Sequence, residues 1–408
     1  MELRRPIPNL RHLRAFREVA ECGNISQAST RVHLSQPAIT QAIAKLEDTL
    51  DVTLFERRKD GMFVTESGQL FLGRVDRALG FLERGAREAL QQGQRKGGKG
   101  FGKFDQLLTS AQLRALTAVS KAENFSLAAR QVGISQPSLH RAARDLERLS
   151  GIALFDKVSQ GIQLTPSARV LVQHVNLTLA ELEQGFVEIE ELKGVDSARI
   201  FVGSLPLART FVLPRAINTL AKARPDVQIS VIDGPYDDLL HGLRHGEIDF
   251  LIGALRDPVP IDDVEQEPLF LDQLTIAVRT GHPLAKKRKL TMRDLGGYPW
   301  VVPREGTPTR DHFERMFADS DTSQSLIETS SLILVRSLLL ESDRLAVISA
   351  HQIRHERQEG LLVNLPFDMR DTNRPIGLTL RRDWHPTKSQ QLFLDAIREA
   401  GDEVKASL

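Results

Sequence analysis

The sequence repeats itself at an offset of 100 residues, and this repeat restricts the possible folds more than any other feature of the chain. Ser35-Gln36-Pro37 recurs as Ser135-Gln136-Pro137, and the two copies align without a gap. Further identical pairs at the same offset are Leu13 and Leu113, Asn24 and Asn124, Leu46-Glu47 and Leu146-Glu147, Leu54-Phe55 and Leu154-Phe155, Gly61 and Gly161, and Thr65 and Thr165. Self-similarity of this kind indicates a duplicated structural module, so we expect two similar units in the N-terminal half.

The pattern within each copy predicts three helices followed by a two-stranded hairpin. In the first copy, apolar residues recur at helical spacing near the N-terminus, and Asn24 is a suitable cap for a second helix. Ser35 is a suitable cap for a third helix, in whose first turn Pro37 is tolerated. Asp60-Gly61 and Gln160-Gly161 lie between short β-prone segments and predict the tight turn of a hairpin.

The third helix of the first copy has a polar face, formed by Gln36, Thr40, Gln41 and Lys45, opposite an apolar stripe. Two helices joined by a tight turn, the second carrying amide, hydroxyl and basic side chains, form the arrangement that enters the major groove of DNA. Helical bundles that bind no DNA also have polar faces. The residue pattern alone therefore leaves both interpretations open.

From Ala198 onward the pattern changes to strands that alternate with helices. Such alternation predicts right-handed βαβ units and a parallel sheet, and therefore a separate α/β domain.

Composition restricts the class of protein. Of the 408 residues, 41% are apolar, and no apolar run approaches the ~20 residues that span a bilayer. The N-terminus lacks the apolar segment of a secretory signal, and the single Cys22 cannot form an internal disulfide. We therefore expect a cytoplasmic protein without a membrane partner. Lys and Arg are concentrated in residues 1–103, which favours a polyanionic partner or a solvated basic face.

Sequence signatures of catalysis are absent. The chain has no His-Glu-x-x-His, no Walker phosphate loop and no Gly-x-Ser-x-Gly elbow. The pairs His241/His245 and His351/His355 have metal-ligand spacing on a helix, but no third ligand is evident. We therefore expect no catalytic residues, no metal site and no cofactor.

The first copy closely resembles the winged helix-turn-helix domain of LysR-type transcriptional regulators. The marks of that domain are Ser-Gln-Pro-Ala, Leu-Glu, Leu-Phe-x-Arg and Thr-x-x-Gly, in this order, and the first copy has all four. The second copy departs from them at Lys157 and Ala168, where the first copy has Arg57 and Gly68. The C-terminal half resembles the LysR effector domain, so the resemblance covers nearly the whole chain except the second module, which typical members lack.

The resemblance implies a multi-domain chain, in which two all-α winged helix-turn-helix modules precede an α/β, two-lobed effector domain with the fold of periplasmic binding proteins. We place the first module and its linker helix at 1–92, a flexible basic linker at 93–103, and the second module and its linker helix at 104–194. The effector domain is expected at 195–408, with lobe I at 198–270 and 366–408 and lobe II at 271–365.

The resemblance also implies which residues contact DNA. The base-contacting helices are 36–47 and 136–147, and wing residues are expected to meet phosphate or the minor groove. In the first module the implied residues are Ser35, Gln36, Pro37, Ala38, Thr40, Gln41, Lys45, Arg57 and Arg58. In the second module they are Ser135, Gln136, Pro137, Ser138, His140, Arg141, Arg144 and Lys157.

A long helix is expected after each wing, from Glu66 to about Gln92 and from Pro166 to about Lys193, and it corresponds to the helix through which family members dimerise. Two such helices in one chain can pair with each other, which predicts an intramolecular pseudo-dimer. In the alternative, only the first module reads DNA and the second is a packing or protein-interaction module.

From the resemblance to the family, the effector cleft is expected at the carboxyl ends of strands, where the N-termini of helices favour anions. The candidate residues are Ser204, Tyr236, Arg304, Gly306, Thr307, Arg310 and Ser331. Arg304 or Arg310 would bind a carboxylate, which predicts an organic, sugar or aromatic acid as effector. The expected partners are double-stranded DNA, this small organic effector and a second copy of the chain, with RNA polymerase as a further candidate.

Overall fold

The computed structural model describes residues 6–59, 61–93, 100–122, 124–159, 161–318 and 325–406. Asp60, Gln160 and residues 94–99 of the predicted linker lie outside the described residues. The chain divides into two units, one formed by the residues up to Ala198 together with 244–247, and the other by 199–243 and the residues from Ile248 onward.

The first unit contains the two predicted modules. The first module consists of α1 (Leu10–Cys22), α2 (Ile25–Val32), α3 (Gln36–Leu50), β1 (Phe55–Arg58), β2 (Gly61–Val64) and α4 (Glu66–Gln92). After a short 3-10 helix (Phe104–Leu107), the second consists of α5 (Ser110–Ala122), α6 (Phe125–Val132), α7 (Gln136–Ser150), β3 (Phe155–Val158), β4 (Gly161–Leu164) and α8 (Pro166–Leu192). Corresponding elements have the same lengths, and each strand pair is an antiparallel hairpin.

The predicted caps form in both modules. The Oδ1 atom of Asn24 accepts a hydrogen bond from the backbone N–H of Ser26 at 2.7 Å, and Asn124 does the same for Ser126 at 2.8 Å. Ser35 and Ser135 cap α3 and α7 through their hydroxyl oxygens. These bonds satisfy backbone N–H groups that have no partner within the helix, so each turn between the second and third helices is fixed locally.

A glutamate of each third helix connects that helix to the wing. The Oε1 atom of Glu47 accepts hydrogen bonds from the backbone N–H groups of Leu54 at 2.8 Å and Phe55 at 3.4 Å. Glu147 makes the same bonds to Leu154 and Phe155 at 3.0 and 3.3 Å. The recurrence of Leu-Glu and Leu-Phe in the sequence therefore reflects one contact, which holds the hairpin beside the third helix.

The long helices α4 and α8 pack against each other in antiparallel orientation. Small residues allow a close approach: a Cβ atom on Gly85 would lie 2.5 Å from Cβ of His174, and one on Gly185 would lie 3.2 Å from Cβ of Arg74. At the centre of the contact, the Thr178 hydroxyl donates to the backbone carbonyl of Ala78 at 3.0 Å. The predicted pairing of the two linker helices within one chain is therefore present.

A buried arginine lies in this helix pair. Arg74 of α4 is only 2% exposed, and its guanidinium donates to Glu181 at 3.0 Å, to Gln184 at 2.7 Å and to Glu188 through two nitrogens, one of them at 2.8 Å. Glu181 also accepts from Arg77 at 2.9 Å and is itself buried. Around this cluster a single hydrophobic core contains residues of both modules, so the two modules share one core.

Lobe I of the second unit is built on a five-stranded sheet in the order β6-β5-β7-β14-β8. Its strands are β5 (Arg199–Ser204), β6 (Gln228–Asp233), β7 (Phe250–Ala254), β8 (Val264–Asp272) and β14 (Arg374–Arg381), and its helices are α9 (Val212–Ala223), α10 (Tyr236–Arg244) and α15 (Lys388–Ala406), with a 3-10 helix at Ala208–Thr210. The sequence predicted a parallel sheet, but the lobe I sheet is mixed, because β14 runs antiparallel to both β7 and β8.

Lobe II has its own five-stranded sheet, in the order β11-β10-β12-β9-β13. Its strands are β9 (Leu274–Arg279), β10 (Trp300–Val302), β11 (Leu326–Glu328), β12 (Leu345–Ser349) and β13 (Leu362–Asn364), and its helices are α11 (Met292–Gly296), α12 (Pro308–Met316), α13 (Leu332–Glu341) and α14 (Arg354–Gln358), with 3-10 helices at Pro283–Lys286 and Arg370–Thr372. β9 is antiparallel to both of its neighbours.

Two lobe boundaries differ from the prediction. β8 pairs in the lobe I sheet as far as Asp272, so lobe I extends past residue 270. Leu365 and Met369 belong to the lobe II core, so the chain returns to lobe I after residue 366. Both differences arise because β8 continues to pair up to Asp272 and the segment after β13 continues to pack in lobe II up to Met369. The sequence does not show at which residue such an apolar segment leaves its lobe.

Replacing Arg74 tests the buried cluster. Arg74→Ala leaves the Glu181 carboxylate buried without its main charge partner, and we expect a loss of about 3–5 kcal/mol in the free energy of unfolding, measured by urea denaturation of the full chain. Arg57→Ala, which removes an exposed arginine of the wing, is the control and should change stability by less than about 0.5 kcal/mol. Equal effects of the two substitutions would contradict a structural role for the cluster.

Candidate DNA-binding and effector sites

The predicted base-contacting residues of the first module lie on one surface of α3. Gln36, Gln41 and Lys45 are exposed, and Thr40 is partly exposed, whereas the opposite face of the helix is buried in the core. Gln36 donates from Nε2 to the Ser26 hydroxyl at 3.2 Å, which connects the start of α3 to α2. The remaining predicted residues, Ser35, Pro37 and Ala38, form the first turn and its cap.

The first wing adds two cations beside this surface. Arg57 and Arg58 are exposed at the end of β1. Arg58 pairs with Glu56 at 2.8 Å, and its guanidinium lies 4.7 Å from the centre of the Phe63 ring. Arg58 is therefore held along the hairpin.

The second module presents a different set of side chains in the same arrangement. Ser135, Gln136, Pro137 and Ser138 form the cap and first turn of α7, and His140 and Arg141 are exposed on the next turn. The His140 ring packs edge-on against Phe125, with centroids 4.9 Å apart. The first module has Ile25 and Thr40 at these two places, so the contact is specific to the second module.

Two predicted residues of the second module differ in their surroundings. Lys157 is exposed on the second wing. Arg144 instead donates to Glu147 at 2.6 Å, and that glutamate is buried and holds the wing as described above. A contact between Arg144 and DNA would have to compete with this ion pair.

In lobe I, the predicted effector residues lie at the carboxyl ends of parallel strands. Ser204 ends β5 and is fully buried, with its hydroxyl donating to the Leu205 carbonyl at 3.3 Å. Tyr236 begins α10 just after β6, and burial raises the pKa of its hydroxyl. Ser204 is therefore buried and already has a hydrogen-bond partner, whereas Tyr236 is partly exposed, with a buried hydroxyl, at the edge where ligands bind in such sheets.

In lobe II, the loop that precedes α12 contains four predicted residues. Gly306 has a left-handed backbone, with φ of 73°, and Thr307 caps α12 while donating to the Arg304 carbonyl at 2.8 Å. Arg304 is exposed. Arg310 is paired with Glu314 at 2.8 Å and with Glu328 at 3.2 Å, so it already has anionic partners and is a poorer candidate for an effector carboxylate than the sequence predicted.

The ion pair of Arg310 with Glu328 also brings β11, and the start of α13 after it, close to this loop. Ser331 caps α13, accepting from the Leu334 N–H at 3.4 Å. In lobe II, Thr307 and Ser331 therefore act as helix caps, and Arg304 is an exposed cation.

Three polar residues that the sequence did not predict lie beside Tyr236 or the start of α12. Arg256 follows β7, and its guanidinium lies 4.3 Å from the centre of the Tyr236 ring. Gln266 accepts from the Arg256 backbone N–H at 3.0 Å. Arg374 donates to Asp272 and reaches Thr309 of α12 at 2.8 Å. A single arginine after a strand carries no motif, although its position after "LIGA" at a strand's carboxyl end was an available signal.

Within the described ranges, no group of three His, Cys, Asp or Glu side chains has the arrangement needed to hold a metal ion. No helix in the same ranges is long and apolar enough to cross a membrane.

The sequence matches two family models. A model of the bacterial regulatory helix-turn-helix protein of the lysR family matches twice, at residues 10–69 and 110–169, and a model of the LysR substrate binding domain matches residues 193–402. The fold and these matches define a transcriptional regulator with an effector-binding domain, and not an enzyme. The chain belongs to the LysR family, with its helix-turn-helix segment matched twice.

Relatives agree with this assignment. The transcriptional regulator GalR of Pseudomonas putida is 34% identical over 395 residues, which cover 96% of this chain and 97% of that protein. PcaQ of Agrobacterium fabrum is 27% identical over 304 residues, which cover 74% of this chain and 97% of PcaQ. The crystal structure of ArgP from Mycobacterium tuberculosis has a similar fold, with a TM-score of 0.56, 16% identity, and coverage of 71% of this chain and 96% of ArgP.

Proposed function

We propose that this chain is a sequence-specific regulator in which both modules read DNA as an intramolecular pseudo-dimer, controlled by a small organic anion bound in the C-terminal unit. The observation that carries this proposal is the reciprocal packing of α4 and α8. LysR regulators bind DNA and small effectors as a family, and the proposal concerns how this chain does so.

The contacts between α4 and α8 come in pairs related by the offset of 100 residues. Arg74 binds Glu188 and His174 binds Glu88, the latter at 3.0 Å. Gly185 approaches Arg74 in the same way as Gly85 approaches His174. Such reciprocity is the property of an interface with two-fold symmetry. It supports an approximate two-fold axis between the modules, and therefore a DNA site with inverted half-sites.

The two half-sites are expected to differ in sequence. The first module offers Thr40 and Gln41, and the second offers His140 and Arg141 at the same positions. Glutamine can form two hydrogen bonds to adenine, and arginine can form two to guanine. A single chain would thus bind a non-palindromic site in one orientation.

The buried charges favour pairing within the chain over pairing between identical helices. Phe81 stands in α4 where α8 has Glu181. In a pair of two α4 helices, Arg74 would therefore face Phe81 and lose a buried anionic partner. In a pair of two α8 helices, Glu181 would face His174 instead of Arg74. Both arrangements leave buried charge less well compensated, which disfavours them.

The proposed effector is anionic because the edge of the cleft carries cations. Arg256 lies beside Tyr236 in lobe I, and Arg304 is exposed in the lobe II loop before α12. The N-terminus of α12 adds free N–H groups near the same loop. We expect a small organic acid to bind there and to change how the chain binds DNA.

We further propose that two chains associate through α13. Val335 and Leu339 pack into lobe II, but Ile333 is 75% exposed, and Leu334 and Leu340 are also exposed. Apolar exposure of this kind on one helix indicates a contact surface, and a second effector unit is the proposed occupant. The resulting dimer would carry four modules, act in the cytoplasm and have RNA polymerase as a candidate partner.

In the second candidate function, only the first module reads DNA. The ion pair between Arg144 and Glu147 favours this alternative, because it occupies a residue that would otherwise face DNA. The second module would then act only as the partner on which α4 packs.

Paired substitutions separate these two functions. Gln36→Ala with Gln41→Ala should weaken binding to one half-site by about 10- to 100-fold, and His140→Ala with Arg141→Ala should do so for the other, since each bidentate contact contributes about 1–3 kcal/mol. The measurement is sequencing of genomic fragments retained by the purified chain, followed by titration of the recovered site.

Arg148→Ala is the matched control, since it removes the same charge from the last turn of α7 and leaves its first turns intact. If the His140/Arg141 variant retains the wild-type binding profile, the second module does not read bases and the alternative stands.

The α13 surface predicts the oligomeric state. Ile333→Asp should convert a dimer into a monomer in light scattering after size exclusion, because it places a charge in the proposed apolar contact. Leu392→Asp, at an exposed apolar position of α15, is the control and should leave the mass unchanged. A wild-type protein that is monomeric, or a dimer that tolerates Ile333→Asp, would contradict this surface.

A further inference from the structure

Lobe II contains a run of four consecutive cations just before α11. The run consists of Lys286, Lys287, Arg288 and Lys289, which together form the basic loop. All four residues are exposed. Lys287 pairs with Asp294 of α11 at 2.7 Å, and the other three cations have no ion pair within the residues that the structure describes.

The basic loop is held in place at both ends. Before it, the buried His282 accepts a hydrogen bond at Nδ1 from the Leu284 N–H at 3.0 Å, and its Nε2 atom lies 3.2 Å from the Asp343 carbonyl oxygen. After it, Asp294 forms a capping box with Thr291 at the start of α11. The chain is therefore fixed on both sides of the exposed cations, which stay close together on the surface.

The basic loop lies away from the candidate effector residues of lobe II. It connects the end of β9 to the beginning of β10, and β9 is antiparallel to β12 whereas β10 is parallel to it. The loop is therefore at the edge of the sheet where β10 and β12 begin, as the ion pair of Arg279 with Asp343 also shows. The segment with Arg304 follows the end of β10 and lies at the opposite edge.

The exposed cations do not stabilise lobe II by pairing. Like charges held close together on one surface repel each other, which disfavours the compact state. Elsewhere in the same lobe, Arg279, Arg310 and Arg336 each have a carboxylate partner. The concentration of unpaired cations in the basic loop is therefore a property expected of a surface that meets an anionic partner.

The composition of the basic loop favours DNA over a protein as this partner. The core of a protein interface is enriched in aromatic side chains and depleted in lysine, whereas the basic loop has three lysines and no apolar residue. Interfaces with DNA are more polar and much more positively charged. DNA held by the modules of the same chain is also present at a high effective concentration.

We propose that the basic loop of lobe II binds the phosphate backbone of DNA outside the half-sites that the modules read. Lys286, Arg288 and Lys289 make this contact, while Lys287 remains bound to Asp294 and holds the loop. The proposal rests on the DNA-binding function given above and adds a contact that does not depend on base sequence.

Two DNA duplexes separate this contact from the reading of bases. The short duplex ends at the half-sites recovered from the genomic fragments, and the long duplex continues on both sides with unrelated sequence. Arg288→Gln with Lys289→Gln should bind the short duplex as the wild type does. On the long duplex, this variant should lower the slope of the logarithm of affinity against the logarithm of salt concentration by about 2, since each phosphate contact contributes about 0.9.

The matched control is Arg315→Gln with Arg357→Gln, which removes two exposed arginines elsewhere in lobe II. It should keep the wild-type slope on both duplexes. Both variants should keep their Tm within about 2 °C of the wild type, because exposed side chains contribute little to stability. A loss of binding can then be assigned to the removed charges and not to unfolding.

Equal slopes for the wild type and the basic-loop variant on the long duplex would overturn the proposal, as would an equal fall in the control variant. A loss of transcriptional control without a change in slope would assign the basic loop to a protein partner and also overturn it. The short duplex reports on the proposed function separately. If the wild type binds it and gains nothing from the added DNA, the regulator stands and only the basic-loop contact is lost. If the wild type fails to bind it, the proposed function and this inference both fail.

Discussion

The packing of α4 on α8 is the contact on which the N-terminal half depends. Each helix alone has an apolar face that needs a partner, and Gly85 and Gly185 let the two backbones approach closely enough for the cores of both modules to merge. The buried Arg74 favours the pairing of α4 with α8 over other helix pairs, because its partners Glu181 and Glu188 are on α8. The repeated module has thus placed both partners of this helix contact in a single chain.

Under the proposed function, this arrangement changes what recognition of DNA requires. When two identical chains pair, the two readers carry identical residues, and their target is symmetric. Here the two third helices keep the same caps and the same glutamate bond to the wing, but present different side chains to solvent, as at Thr40 and His140. The caps and the glutamate bond are the same in both copies, whereas the exposed side chains of the third helix differ, and under the proposed function this difference lets one chain specify an asymmetric site.

Local features of the fold were predictable from sequence, and features formed between distant segments were not. Asn24 and Ser35 cap helices because a cap needs only a side-chain oxygen a few residues from the N–H groups it satisfies. The pairing of the long helices followed from the repeat. The cluster around Arg74 and the group at Arg256 each join residues far apart in sequence, and no spacing rule links them. Arg310 was a reasonable candidate by position, but only the structure identifies Glu328 as its partner.

A disulfide across the contact between α4 and α8 would show whether the two helices of one chain pair with each other. Ala78→Cys with Thr178→Cys, in a Cys22→Ser background, puts one cysteine on each helix at the level where the Thr178 hydroxyl donates to the backbone carbonyl of Ala78 at 3.0 Å. After mild oxidation of the full chain and denaturation without reductant, we expect a cross-linked species with the mass of one chain, 45.6 kDa. A covalent dimer as the main product would show that the helices pair between chains, and would contradict the pseudo-dimer.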